Sequence, residues 1–149
     1  MSLGQITHLI VDKFDKLFSY LQSVDSKEFK LGKFDCFKFA NDAVIAMTGK
    51  DYMVDITEYK DYKSAIRIVK KFGSVEKAVT AKLGKPMTNL LFAQRGDVVM
   101  FEHESIPSEQ SYLKQAIGIC GGLNIYCCTT KGVVEISMDN AKKVWNVND

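Results

Sequence analysis

The sequence predicts an α+β domain, helices first and an antiparallel sheet second, and three observations carry that prediction. Apolar residues recur at helical spacing as far as about residue 85, and from residue 96 they follow the shorter period of strands. Glycines change role along the way, ending helices early in the chain and turning hairpins late in it. Asp35-Cys36 stands where an apolar helical pattern begins, so the thiol meets the positive end of a helix dipole, which favours thiolate. The same cysteine would also serve as a small buried apolar residue.

Ile6, Leu9, Ile10, Phe14, Leu17, Phe18 and Leu21 share one face of a first amphipathic helix, with His8 off the stripe and toward solvent. The polar run Asp25-Ser26-Lys27-Glu28 ends it. Cys36, Phe39, Ala40, Ala43, Val44 and Met47 define the buried face of a second helix, stopped by Thr48-Gly49. This places Cys36 at the tip of that face, half in the core and half at its edge. Residues 52–62 read as irregular, and Tyr52, Tyr59 and Tyr62 there either line a groove or pack. Lys63 to Phe72 reads as a third helix with Ala65, Ile66, Val69 and Phe72 inward; Gly73-Ser74 breaks it. Val75 to Leu83 makes a fourth, ended by Gly84-Lys85-Pro86.

Gly96-Asp97 opens a strand over Val98 to Phe101, and a polar loop with Pro107 and Ser108 follows. Ala116 to Cys120, Gly121-Gly122 and Leu123 to Cys128 read as a hairpin, which with a two-residue turn sets Ala116 across from Cys127. Val133 to Ile136 and Val144 to Val147 complete the strands. With no repeat, low-complexity tract or linker, residues 1–149 read as a single domain, its helical part about 5–85 and its sheet part about 96–147.

A chain of 149 residues is long enough to bury a core without staples. Its 46% hydrophobic and 26% charged residues are those of a globular protein, and a net charge of +2 makes no case for nucleic acid or an anionic membrane. No run approaches the ~20 apolar residues of a membrane span, and the start of the chain lacks a secretion signal. Met1-Ser2-Leu3 carries no functional reading. Cys36, Cys120, Cys127 and Cys128 do not form a disulfide pattern, since two are adjacent. They include no C-x-x-C pair, and both histidines are distant in sequence, so neither a zinc site nor a cofactor is expected. Reduced thiols in a cytosolic protein fit best.

Asp35-Cys36 at a helix head, the strand entry Arg95-Gly96-Asp97-Val98-Val99-Met100-Phe101, and the strand Ala116-Ile117-Gly118-Ile119-Cys120 resemble the NlpC-type branch of papain-like cysteine peptidases. An ordered set is similar to an uncharacterised family encoded by phages and prophages. It comprises Asp35-Cys36, Phe39-Ala40, Asp42-Ala43-Val44, Thr48-Gly49 with Asp51, Ala93 to Val99, and Ala141 to Trp145. The resemblance implies a papain-like fold with a cysteine-headed helix packed on an antiparallel sheet and additional helices. It also implies a phage origin. The peptidase pattern has a histidine base at the start of the strand, where this chain has Ala116. Alanine moves no proton, so the dyad is incomplete.

Cys36 is the candidate nucleophile, against a structural role at a helix start. Asp35 reads as its N-cap. His103, flanked by Glu102 and Glu104, is the one replacement base, against a solvated histidine. Arg95-Gly96-Asp97 spells an integrin-binding tripeptide but reads better as a strand-entry turn. Lys63, Arg67, Lys70 and Lys71 form a basic stripe whose default reading is a solvated face. Cys120, Cys127 and Cys128 read as buried thiols.

Three functions follow as expectations. The first is a phage- or prophage-encoded protein with an incomplete dyad, acting in virion or tail assembly through binding. Its partners would be phage structural proteins or peptidoglycan peptides, and its place the host cytoplasm or the virion. The second is an active cell-wall amidase or endopeptidase using Cys36 with His103. The third is a cytosolic adaptor presenting the Lys63 to Lys85 helices.

Overall fold

The computed structural model describes residues 2–56, 58–102 and 115–147, the side chains of residues 6–11 excepted. Four helices come first, α1 (Leu3–Val24), α2 (Cys36–Thr48), α3 (Tyr62–Phe72) and α4 (Val75–Leu83). Five strands follow, β1 (Val98–Phe101), β2 (Ala116–Cys120), β3 (Asn124–Thr129), β4 (Gly132–Ser137) and β5 (Ala141–Trp145). The chain is α+β, as its periodicity predicts.

Each helix begins on a short polar side chain that takes up an otherwise unbonded N–H. Ser2 and Gln5 form a reciprocal capping box on α1, so the segment without a functional reading has a structural one. Leu17, Leu21 and Val24 bury one face of α1, whereas Phe18 is 61% exposed. Phe18 follows Leu17 by one residue, about a 100° turn, and that carries it off the stripe. In α2 all six predicted residues are buried, and Gly49 closes the helix at φ +79°. Asp61 and Ser64 cap α3, which starts one residue before its predicted limit. Ala65, Ile66, Val69 and Phe72 are only half-buried, because α3 packs on α4 and borders a cavity.

The sheet is antiparallel throughout, in the order β4-β3-β2-β1-β5. Every residue of β1 and β2, its two most central strands with β3, is buried. Val98 pairs with Ile119 and Phe101 with Ala116. Ile119 pairs with Tyr126 and Cys120 with Ile125, and the Gly121 N–H donates to the Asn124 carbonyl at 2.7 Å. The hairpin loop is therefore longer than the two-residue turn expected, and Ala116 does not pair with Cys127. A last strand over 144–147 is also corrected. Pairing with the four residues of β1 sets β5 at Ala141–Trp145, and the Val147 N–H donates instead to Asp97 Oδ1 at 3.2 Å.

Val98 and Ile117 meet Ala40 and Val44 of α2 around the cavity. Trp145, paired with Val98, donates its Nε1–H to Thr80 Oγ1 of α4 at 3.2 Å. These contacts place α2 and α4 on one face of the sheet. Among the described residues no helix is long and apolar enough to cross a membrane.

Candidate functional site at the head of α2

The approach to α2 is a tight turn. Lys30 and Phe34 form an isolated antiparallel bridge, with the Phe34 N–H donating to the Lys30 carbonyl at 2.7 Å and the Lys30 N–H to the Phe34 carbonyl at 2.8 Å. Gly32 at its centre has φ +82°, and a Cβ there would run into the Tyr59 carbonyl oxygen. Only glycine accepts both constraints cheaply.

Asp35 follows, with no exposed surface. Its Oδ1 accepts the Lys38 N–H at 2.9 Å, which is the N-cap bond predicted from sequence. Its Oδ2 accepts the Gly32 N–H at 2.8 Å and the Tyr59 hydroxyl at 2.6 Å. Burial, then the neighbouring Asp35 charge and its hydrogen bond, raises the Tyr59 hydroxyl far above the ordinary phenol range. Tyr59 therefore stays protonated and acts as a donor. One carboxylate thus ties the turn, the helix start and the 52–61 segment together.

Cys36 is 1% exposed, not half at the edge of the core, and takes part in no disulfide. The Tyr59 hydroxyl and the Cys128 thiol both lie within electrostatic reach of its sulfur. Cys128 donates weakly to the Phe34 carbonyl (3.5 Å), and burial raises its pKa strongly. Cys128, not Cys127, is thus the β3 thiol on the Cys36 side, since adjacent strand residues face opposite ways. Burial pushes Cys127 up to about 12, and Cys120 is also raised by burial.

The remaining candidates that the structure describes lie apart from this site. His103 lies outside the described residues, as does the His8 side chain. Ala116 is buried in β2 against Phe101. Arg95-Gly96-Asp97 is a strand-entry turn: Gly96 has φ +95°, and buried Asp97 accepts the Gln94 N–H through Oδ2 at 2.8 Å. Its carboxyl is raised by burial, against the lowering effect of its two backbone bonds. Lys63, Arg67, Lys70 and Lys71 are exposed on α3. Among the described residues no cluster of ligating side chains fit for a metal occurs.

A cavity of about 110 Å³ lies beside this site, between α2, the side chains of Tyr52, Met53, Ile56 and Tyr59, α3, α4 and the first two strands. Tyr52 and Tyr59 border it, as the groove reading anticipated, and Tyr62 does not. Cys36 is not part of its wall. Sequence reasoning missed the Asp35–Tyr59 bond and the Cys36–Cys128 neighbourhood, because nothing local joins residues so far apart.

The profile of a family described as a domain of unknown function, DUF6950, matches residues 12–147. The chain belongs to the DUF6950 family. No curated protein matches it. The matched span takes in α2, its Asp35 cap, Tyr59, the cavity and all five strands, so the DUF6950 domain includes both the cysteine site and the cavity. What this DUF6950 site does chemically is limited by access. The sulfur has almost no surface, and the Lys38 N–H at the helix start is taken by Asp35.

Proposed function

We propose that this DUF6950 chain is a phage- or prophage-encoded binding protein on an NlpC-type, papain-like scaffold, in which Cys36 is a packing residue and not a nucleophile. The observation that carries the reading is the burial of Cys36 at 1% exposure, beneath a helix start fastened by Asp35 and Tyr59. Thiol attack on an amide needs the sulfur in contact with the carbonyl carbon and a base within about 2.6–3.2 Å of the thiol. A sulfur enclosed in the core meets no carbonyl, and Ala116 supplies no proton transfer.

The scaffold assignment is supported by motif order on the observed elements. Asp35-Cys36 heads α2, Gly96-Asp97 opens β1, and Ala116-Ile117-Gly118-Ile119-Cys120 is β2. The phage origin rests on the resemblance of the same segments to the phage-encoded family, and it suggests a partner among virion or tail proteins in the host cytoplasm.

Purified protein incubated with peptidoglycan stem peptides should release no fragments, and Cys36→Ala should behave as the wild type does. Cleavage that disappears in Cys36→Ala would overturn the reading and restore the hydrolase. The assembly role is tested separately, by probing particles and tail intermediates of the encoding phage for the chain. Absence from both removes that role.

A further inference from the structure

The cavity beside α2 has a size and a chemistry that point to a ligand. Protein interiors are packed to near-crystalline density, and a void leaves its lining atoms without contacts on one side. At about 110 Å³ it is somewhat smaller than the ~150 Å³ apolar cavity that takes up benzene. A ring or a short branched chain is the matching size. Ala40, Val44, Ala65, Val69, Val79 and Ile117 supply apolar wall from helices on one side and sheet on the other.

Polar groups on this wall are few and mostly committed. Asn41 donates to Asp51 at 2.8 Å and accepts the Tyr52 N–H at 3.1 Å. The Tyr59 hydroxyl is held by Asp35. Lys82 is the one charged side chain on the wall among the described residues, and its Nζ lies 5.9 Å from the Phe72 ring centre. The lysine side chain is 22% exposed and is paired with Asp55, a carboxylate that is 69% exposed in the irregular segment before α3. An exposed carboxylate therefore reaches this ammonium already, and another can replace it without leaving a buried charge unpaired. A peptide backbone, which needs a donor or acceptor for each amide, would find no such set of partners here.

We propose that the cavity binds a small carboxylic acid with a ring-sized apolar body, aryl or short branched alkyl, its body enclosed and its carboxylate on Lys82 Nζ in place of Asp55. The site is independent of the reading of Cys36, which is not in its wall, and neither falls with the other.

Titration calorimetry with benzoate and isovalerate, with benzyl alcohol as the neutral control, tests it. Saturable binding of an acid is expected, about tenfold weaker in Lys82→Met as befits a lost charge-assisted hydrogen bond. Asp55→Asn removes the internal competitor and should tighten binding several-fold, a gain that a purely structural role for the pair would not give. Ala65→Leu fills the space without touching Lys82 and should abolish uptake, with melting curves confirming that each variant folds. The proposal is overturned if neither acid binds the wild type. It is equally overturned if benzyl alcohol matches benzoate and Lys82→Met changes nothing. Tighter binding of a short Phe-bearing peptide than of either acid would reassign the cavity to a partner's side chain, and overturn it too.

Discussion

Asp35 shows how much one buried carboxylate can hold. It caps α2, takes the Gly32 N–H of the preceding turn, and anchors Tyr59 from a segment with no regular structure of its own. Asp35→Ala removes the cap and strands the buried Tyr59 hydroxyl and the half-buried Gly32 N–H, and should cost roughly 3 kcal/mol, read as a lower urea midpoint at unchanged slope. Tyr59→Phe keeps the ring and deletes one donor, for about 1–3 kcal/mol. In the double variant the two losses should fall short of their sum by about 1–2 kcal/mol, since both break the same bond. The cap was readable from the position of an aspartate before an apolar helical run. Its tyrosine partner was not, because only the folded chain brings residue 59 to residue 35. Cys127 gives a pH signature. Burial raises its thiol to about 12 in the folded state, so its contribution is complete below the ordinary thiol range near ~8.5 and is lost as pH rises from there toward about 12. Alkaline unfolding should steepen by about 1.4 kcal/mol per pH unit for each such thiol. Cys127→Ala should flatten that limb by one thiol's share while lowering stability at neutral pH.

At the scale of elements, helices were legible and their environments less so. Caps and glycine stops fix where α2 and α4 begin and end, and these are local properties of the chain. The half-burial of α3 depends on what packs beneath it, and there a cavity replaces core. The hairpin register was misplaced for a similar reason. Two adjacent glycines suggest the shortest turn, but Gly121 is drawn into a bond with Asn124 and the pairing starts at Cys120 and Ile125. Gly118 is held by sterics, not by its dihedral angles. A Cβ there would sit 2.5 Å from the Tyr126 carbonyl oxygen and 2.7 Å from Ile125 Cγ2, in rigid surroundings. Gly118→Ala should therefore destabilise by about 1–3 kcal/mol in a denaturant titration.

For the whole molecule, burial of the four thiols ties their reactivity to folding. Cys36, Cys120, Cys127 and Cys128 are all enclosed in the same hydrophobic core. Each should react with iodoacetamide only through global opening, so labelling rates should rise with urea along the slope of global unfolding. A Cys36 that labels quickly in native buffer, apart from the other three, would contradict the buried geometry. The sequence by itself determined the α+β class, the order of the elements, the capped helix beginning at Cys36 and the buried character of Cys120, Cys127 and Cys128. Each of those follows from spacing and from residue types within a few positions. Tertiary structure alone decided that Cys36 is enclosed, that Cys128 and Tyr59 are its neighbours, and that a cavity bordered by Lys82 lies beside it. Those depend on contacts between segments distant along the chain, where the physics is packing and hydrogen-bond partnership, and no local pattern records it.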